Sequence, residues 1–190
     1  MSDKLNGIDN TKLFKIIESI KQNPSLAEFI FRVNNTWMSG GHSRSVIKKF
    51  YGAEREDDIR TVPFIFEIDQ PSALLGNDNG PTAVEYVLNG LAGCITNSIV
   101  CLAALRGINL TDIESEIEGR FDLRYMFGIN SDRDNMIENI KVKIRIKGKE
   151  LSDEGKQFLC RLGKKTSLVY KIITTSFPVE ISIDDEIYLE

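Results

Sequence analysis

The chain of 190 residues has few of the side chains that hold metals or cross-link a fold: one histidine and three cysteines. Zinc fingers and histidine-rich metal sites need several such ligands at close spacing, and disulfide scaffolds need a denser set of cysteines. Because neither pattern is present, we predict no metal and no other cofactor. The odd number of cysteines favours a reducing compartment, so we expect a cytoplasmic protein.

The sequence also lacks an excess of positive charge. It contains 24 Lys and Arg residues against 28 Asp and Glu residues, a net charge of −4, whereas nucleic-acid-binding domains usually carry a basic face. The first twelve residues, MSDKLNGIDNTK, include no apolar run of the kind found in signal peptides. We therefore expect no nucleic-acid partner, no secretion signal, and one domain or a domain with an extension.

Charge is absent altogether from residues 86–105. An apolar stretch of this length is long enough to span a bilayer, but Asn and Gly residues interrupt it, and a helix that is apolar all round is typical of a protein core. Thr82 and Glu85 have the spacing of a capping box, and Arg106 followed by Gly107 is typical of a helix end. We predict a buried central helix over residues 82–105 and no membrane span.

Hydrophobic periodicity predicts the remaining elements. The pattern indicates helices over residues 9–23 and 152–173, and strands over residues 29–37, 45–51, 62–68, 111–125, 138–147 and 178–183. Helices and strands do not alternate one by one, so we predict an α+β fold in which antiparallel strands pack on two long helices. The last helix is expected to bury a stripe of five side chains: Phe158, Leu162, Thr166, Val169 and Ile173.

Cys94 is the first candidate for chemistry, because it lies among small residues at the centre of the uncharged helix. A free cysteine is also among the most commonly buried residues, where it acts as a small hydrophobe. Cys101 lies two turns further along the same helix face, and Cys160 lies on the last helix. For these two, inert packing is the simpler interpretation.

Arg44, His42 and Glu85 are the other candidates. A fixed guanidinium lowers the pKa of a neighbouring thiol and can bind a substrate oxygen, so Arg44 is either the activator of a cysteine or a surface residue at a strand edge. His42 lies in a glycine-rich turn, where a solvated side chain is more common than a Cys–His catalytic pair. For Glu85 the alternatives are the capping box and catalysis.

Several segments together resemble the OsmC/Ohr family of thiol-dependent hydroperoxide-detoxifying proteins. Residues 80–94 (GPTAVEYVLNGLAGC) are similar to the central helix of that family, and Trp37 with residues 40–45 (GGHSRS) and 50–52 (FYG) is similar to its opening hairpin. Residues 113–123 resemble the strand after the helix, and residues 166–170 (TSLVY) with 177–179 (FPV) resemble the closing helix and strand. We therefore divide the chain into an N-terminal helical extension, residues 1–28, and an OsmC-like domain, residues 29–190.

The resemblance implies an OsmC-like intertwined homodimer in which two long central helices pack together and each active site draws on both subunits. It implies a peroxidase in oxidative or osmotic stress defence, with organic hydroperoxides as substrates and an external thiol or dithiol as reductant. Cys94 would be the nucleophile, Arg44 would stabilise its thiolate and the departing oxygen, and Glu85 would complete the catalytic set.

Two departures from the family pattern weaken the prediction of a two-cysteine peroxidase. The family's peroxidases carry their second, resolving cysteine where this chain has Ser167, and a serine hydroxyl cannot form a disulfide. Their glutamate at the helix start falls at Val84, and Glu85, one residue later, lies about 100° further round the helix.

Three schemes for the cysteines stay open. If the long helices cross antiparallel with Cys94 facing Ser167, Cys101 and Cys160 lie opposite each other and form a relocated redox pair, provided that their Cα atoms are within about 7 Å. Otherwise Cys101 and Cys160 are inert, or a small external thiol completes a one-cysteine cycle. The alternative function is a non-enzymatic protein that binds an apolar ligand in the dimer cleft.

Overall fold

The computed structural model describes residues 4–124, 126–129, 137–183 and 186–188. Its helices are α1 (Asn10–Gln22), α2 (Ala83–Leu105), α3 (Asp153–Thr166) and α4 (Leu168–Thr174), with short 3₁₀ turns at Pro24–Ala27 and Ser72–Leu74. The strands are β1 (Lys4–Leu5), β2 (Ile8–Asp9), β3 (Phe29–Phe31), β4 (Asn34–Ser39), β5 (His42–Ile47), β6 (Phe50–Gly52), β7 (Arg55–Glu56), β8 (Phe64–Ile68), β9 (Leu110–Phe121), β10 (Ile137–Gly148), β11 (Ile181–Ile183) and β12 (Glu186–Tyr188).

Every strand pair in the described part of the chain is antiparallel. Strands β4, β5 and β8 form one three-stranded sheet with β5 in the middle, β3, β6 and β7 form another, and the long strands β9 and β10 pair with each other. This arrangement of antiparallel sheets and helices confirms the predicted α+β class.

The β9–β10 hairpin separates an apolar face from a charged one. Its register places Ile113 opposite Ile146 and Ile117 opposite Val142, and all four contribute to or pack against the core. The alternate positions pair opposite charges, with Lys147 Nζ 2.9 Å from the Asp112 carboxylate and Arg145 Nε 2.9 Å from Glu114. Because side chains alternate across a strand, the alternating sequence dictates both faces.

The core lies between α2, α3 and the apolar face of the hairpin. Helix α2 contributes Leu91, Ile95, Ile99 and Ala103, which pack with Leu159 of α3 and Ile146 of β10. By length and composition α2 is also the one helix among the described residues that could span a membrane. In the structure it packs against α3, α4 and β9.

The two long helices run antiparallel, as the sequence analysis supposed. The guanidinium of Arg106 lies 5.5 Å from the ring centroid of Phe158, and Gly163 faces Ile99 so closely that a Cβ there would be 2.5 Å from Ile99 Cγ1. Residue numbers therefore rise along α2 as they fall along α3. The contact at Gly163 sets the distance of closest approach.

The predicted stripe of the last helix is confirmed at Val169 and Ile173, which pack against the core, but is wrong at Phe158 and Thr166, which are exposed, and its continuity is wrong. Leu159 and Gly163 are the buried residues of α3, while Phe158 is 40% exposed. The side of α3 that carries Gly163 faces α2, because only a residue without a side chain fits at this close contact. At Ser167 the backbone is extended, with φ −69° and ψ 116°, and its hydroxyl accepts a hydrogen bond from the backbone N–H of Tyr170. A new N-terminal cap therefore divides the predicted helix 152–173 into α3 and α4.

Other boundaries also differ from the prediction. The runs 29–37 and 45–51 are each divided, into β3 and β4 and into β5 and β6, and the predicted strand 178–183 is reduced to β11. The predicted strand 111–125 ends at Phe121, and its last residue, Tyr125, lies outside the described residues. Short irregular segments, residues 32–33 and 48–49, separate the divided strands.

The N-terminal segment is attached to the C-terminal end of α2. The Asn6 amide donates to the carbonyl of Ile108 and accepts from the backbone N–H of Leu110, and the Asn10 amide donates to the carbonyl of Ala104 at 3.1 Å. The last carbonyls of a helix have no partner within it. The extension therefore supplies side-chain donors to the end of the central helix and the following turn.

We predict that Gly163→Ala lowers the free energy of unfolding by about 1–3 kcal/mol, because the new methyl group would overpack the fully buried Ile99. Gly155→Ala in the same helix is the matched control, since the close neighbour of its methyl group is the movable end of the Leu151 side chain, with Ser152 Oγ at an ordinary contact distance of 3.6 Å. The control is expected to be neutral or slightly stabilising. Urea denaturation measures both, and equal stability of the two variants would contradict the tight crossing.

Candidate active site

Cys94 lies at the middle of α2, beside the core but not fully within it. Its neighbours Leu91 and Ile95 are buried, whereas Gly93 and Asn97 are exposed and Cys94 itself is half-buried. The thiol is thus at the boundary between the packed face of the helix and an open one. At mid-helix the macrodipole gives the thiolate little help, so its activation requires a positive side chain.

Arg44 is on β5, the middle strand of its sheet and not an edge strand, and its side chain is 46% exposed. Opposite it in the β-ladder is Glu67 of β8. Arg44 Nε donates to Glu67 Oε1 at 2.7 Å, and its Nη2 is also 2.7 Å from the same oxygen. The strand pairing therefore fixes the guanidinium against a carboxylate.

His42 joins the same carboxylate from the other side. Its Nε2 lies 2.8 Å from Glu67 Oε2, and its side chain is 16% exposed. The prediction of a solvated loop histidine is therefore wrong: His42 begins β5 and is held in a cluster. Hydrogen bonds from His42 and Arg44 lower the pKa of Glu67 below its ordinary value.

The cluster of His42, Arg44 and Glu67 is connected to α2 through the neighbouring residue of β8. Phe66 contacts Tyr86 of α2 edge to face with ring centroids 5.8 Å apart, and the Tyr86 hydroxyl donates to the carbonyl of Glu67 at 2.9 Å. Since side chains alternate across a strand, the Glu67 carboxylate lies on the sheet face opposite Phe66. The sheet is thereby attached to α2 eight residues, about 12 Å, before Cys94.

Glu85 forms the predicted capping box. Its carboxylate accepts from the Thr82 backbone N–H at 2.7 Å and from the Thr82 hydroxyl at 2.9 Å, and the Glu85 N–H donates to that hydroxyl oxygen. The backbone hydrogen bond from Thr82, followed by that from its hydroxyl, lowers the pKa of Glu85. A catalytic role for Glu85 stays a prediction.

A long central helix that packs against a second helix and antiparallel strands is the arrangement that the sequence resemblance implied. The family model described as OsmC-like protein matches residues 76–182, which is more than half of the chain. The chain belongs to the OsmC-like family.

Solved structures agree with this OsmC-like fold at low sequence identity. An OsmC-like protein from Mycoplasma pneumoniae has a TM-score of 0.58 at 12% identity, over 75% of this chain and 86% of that one. An OsmC-like protein of unknown function from Vibrio cholerae gives 0.55 at 8% identity, over 76% and 94%. A protein from Legionella pneumophila described as an organic hydroperoxide resistance protein OsmC gives 0.52 at 13% identity, over 76% and 88%. None of the curated protein sequences compared with this chain matches it.

In this OsmC-like protein Ser167 has a structural role that the sequence did not reveal. It is completely buried, and its hydroxyl caps α4. Gly163 faces Ile99, so Ser167, one helical turn later, follows on the same side towards Ile95, the residue after Cys94. The position at which the family resemblance implied a resolving thiol is thus taken by a serine that caps a helix.

The three cysteines are free thiols in different surroundings. Cys101 lies on α2, where its sulfur is 3.7 Å from Asn97 Oδ1 of the same helix. Cys160 lines a cavity of about 250 Å³ together with Ile95, Val142, Ile144, Lys164 and Tyr170, and burial raises its pKa. A raised pKa reduces the thiolate fraction of Cys160, so it is less reactive than an ordinary thiol.

Asp69 is a buried structural residue in the loop before α2. It is 1% exposed and accepts hydrogen bonds from the backbone N–H groups of Gln70, Asn77 and Asn79 and from the Asn79 amide. Burial acts to raise the pKa of Asp69, but these hydrogen bonds outweigh it and the pKa is lowered. The carboxylate therefore organises the loop that leads into α2.

A larger pocket, of about 610 Å³, lies at the N-terminal end of α2. Its wall is mostly apolar, formed among others by Leu74, Leu88, Ile117, Phe121, Leu123 and Met126. Glu85 is one of its lining residues, whereas Cys94 is not. No cluster of three or more metal-binding side chains is found in the part of the chain that the structure describes.

The predicted site residues therefore lie on two separate structural elements. Cys94 and Glu85 share α2, while Arg44 is on β5. Among the described hydrogen bonds and ion pairs, Arg44 contacts Glu67 and Glu85 contacts Thr82; none joins either of them to Cys94. A catalytic set of Cys94, Arg44 and Glu85 remains a prediction, and Glu67 is the residue that sequence reasoning missed.

We predict that Glu85→Ala destabilises the protein by about 0.3–1.5 kcal/mol at pH 7 through loss of the capping box. The folded-state pKa of Glu85 is lowered, so its stabilising effect is present above the unfolded carboxyl pKa of about 4.3 and is lost as the pH falls through the folded-state pKa. Denaturation of the wild type and the variant between pH 2 and 7 measures the difference.

The control for this prediction is the same substitution in a Thr82→Ala background, where the cap is already broken and the cost should be smaller. A cost of Glu85→Ala that stays constant down to pH 2 would show that the ionised carboxylate is not responsible.

Proposed function

We propose that this OsmC-like protein reduces organic hydroperoxides in the cytoplasm with Cys94 as the nucleophile, in defence against oxidative stress. The position of Cys94, half-buried at the centre of α2 beside an open face, is the observation that carries the proposal. Family membership and the hydroperoxide-resistance name of the Legionella relative support the substrate class. Arg44, a fixed cation on the adjacent sheet, is the proposed partner of the thiolate.

The proposed active unit is a homodimer. One side of α2 leaves Val87 49% and Val84 41% exposed, and the positions of Gly90 and Gly93 face open space. Strands of the N-terminal sheets also expose large aromatic residues, such as Phe31 and Trp37, each 72% exposed. Apolar surface of this extent is typical of a protein interface, so a second copy would cover the open face of α2 and bring Arg44 to Cys94 of the partner subunit.

The first chemical step oxidises the thiolate by two electrons. The Cys94 sulfur attacks the terminal oxygen of the hydroperoxide, the O–O bond breaks, and the alkoxide takes up a proton and leaves as an alcohol. Cys94 becomes a sulfenic acid. The Arg44 guanidinium stabilises the thiolate before the attack and the negative charge on the departing oxygen during it.

An external thiol completes the proposed cycle, because Ser167 cannot resolve the sulfenic acid. A reductant thiol attacks the Cys94 sulfur and releases water, which leaves a mixed disulfide. A second reductant thiol then attacks the reductant's sulfur in that disulfide, so that Cys94 leaves as a thiolate and the reductant is oxidised to its disulfide. A monothiol can supply both equivalents, and a dithiol supplies them from one molecule.

Binding of an apolar ligand is the second candidate function. The pocket of about 610 Å³ at the start of α2 favours it, because its wall is mainly apolar and Cys94 is not part of it. Concave apolar pockets of this size are typical of small-molecule sites. A ligand that binds equally well to the wild type and Cys94→Ser, without peroxide consumption by either, would favour this function.

We predict that Cys94→Ser abolishes consumption of cumene hydroperoxide, whereas Cys101→Ser and Cys160→Ser retain it. The nucleophile is lost in the first variant only. Assays with dithiothreitol and with a monothiol measure the rates, and mass spectrometry after stoichiometric peroxide identifies the oxidised residue. Equal rates for the wild type and Cys94→Ser would refute the peroxidase, and a Cys101–Cys160 disulfide would support the relocated pair instead of external resolution.

We predict that Val87→Lys converts the dimer to a monomer, because it places a charge in the apolar face of α2 that the second copy covers. Gln157→Lys adds the same charge at an exposed position of α3 and should leave the assembly unchanged. Sedimentation velocity measures the mass of each variant. A monomeric wild type would contradict the dimer.

A further inference from the structure

We propose that Glu67 is the positioning residue for Arg44, a strand carboxylate that fixes the guanidinium for its work on Cys94 and is itself fixed by His42. The assignment rests on the proposed function, because it is through Arg44 that Glu67 acts. It adds a residue that neither the sequence pattern nor the family resemblance indicated.

The two oxygens of Glu67 are divided between two partners. Oε1 accepts from Arg44, with both Nε and Nη2 at 2.7 Å, and Oε2 lies 2.8 Å from His42 Nε2. A carboxylate engaged on both oxygens cannot rotate without losing a hydrogen bond. His42 therefore restricts the carboxylate, and the carboxylate restricts the arginine.

Arg44 keeps unused donors in this arrangement. A guanidinium has five N–H groups in a planar fork, and the contacts with Glu67 use the edge formed by Nε and Nη2. Among the described residues, no hydrogen bond or ion pair uses the edge formed by Nη1 and the second N–H of Nη2, so that edge can bind a thiolate or a peroxide oxygen. Fixing one edge of the fork thus orients the other.

The backbone supports this position of Glu67 from two directions. The β-ladder places Arg44 and Glu67 directly opposite each other. The carbonyl of Glu67 accepts the Tyr86 hydroxyl from α2, and Gly80 lies so close to this carbonyl that any side chain there would collide with it. The cluster of His42, Arg44 and Glu67 is therefore held at a set position relative to α2 of its own subunit, and the dimer would bring it to Cys94 of the partner subunit.

Other carboxylates near the start of α2 have different partners. Glu85 is bound to Thr82 in the capping box, and Asp69 is bound to backbone N–H groups of its own loop. Hydrogen bonds from His42 and Arg44 lower the pKa of Glu67, so it stays ionised where a thiolate reacts. Glu67 is accordingly the carboxylate that orients Arg44.

The experiment compares Glu67→Gln with Glu56→Gln. Glu56 forms an exposed two-point pair with Arg32, at 2.9 and 3.0 Å, and is the matched control for loss of a carboxylate that binds arginine. Glu67→Gln should lower kcat/KM for cumene hydroperoxide by roughly 10- to 100-fold, as expected for a displaced catalytic group. Glu56→Gln should leave it unchanged, and circular dichroism checks that both variants are folded.

A double-mutant cycle separates positioning from a merely structural role. In an Arg44→Lys background the guanidinium that Glu67 positions is already absent, so Glu67→Gln should change kcat/KM by less than about twofold. The assignment would be overturned if Glu67→Gln lowered kcat/KM in that background by the same factor as in the wild type. It would also be overturned if the Glu67→Gln variant were as active as the wild type. A wild type that consumes no peroxide would instead refute the proposed function.

Nuclear magnetic resonance tests the geometry without any activity assay. The Arg44 Nε–H should exchange slowly with solvent in the wild type and in Glu56→Gln, and rapidly in Glu67→Ala. Rapid exchange of Arg44 Nε–H in the folded wild type would overturn the assignment even for an active enzyme.

Discussion

Helix α2 carries no charged side chain from Tyr86 to Leu105, so each of its sides needs cover from water. The α3 helix and the β9–β10 hairpin cover one side through Leu91, Ile95 and Ile99. Tyr86 attaches the sheet of β4, β5 and β8 at the start of the helix, and Asn6 and Asn10 complete its other end. The side of α2 left open is the one where Cys94 lies. The packing that covers the uncharged helix therefore also places the Cys94 thiol between the packed face and the open face.

The sequence predicts those elements whose signals are local. The capping box of Thr82 and Glu85 and the alternation of β10 depend on residues a few positions apart, and both were confirmed. The burial of Leu159 and Gly163 on α3 depends instead on how closely α2 approaches Gly163. Hydrophobic periodicity contains no information about that distance, so the predicted stripe holds at Val169 and Ile173 but not at Phe158 and Thr166.

The site residues likewise divide into those with local sequence signals and those that depend on distant contacts. Cys94 was identifiable because a family-like segment surrounds it, and Arg44 because it follows the glycine-rich turn. Glu67 could not be identified, since it lies 23 residues after Arg44 and is brought to it only by the β5–β8 register. His42 was misjudged for the same reason: a glycine-rich turn predicts solvent, whereas the neighbouring strand supplies a carboxylate.

The attachment of the N-terminal segment to the end of α2 has a consequence for the order in which the chain is made. Asn6 is bonded to Ile108 and Leu110, 102 and 104 positions later, and Asn10 to Ala104, 94 positions later. During synthesis Asn6 and Asn10 therefore wait until about a hundred further residues have followed before their partners exist. These contacts form only after the central helix has been made, so they mark its completion and not the beginning of folding.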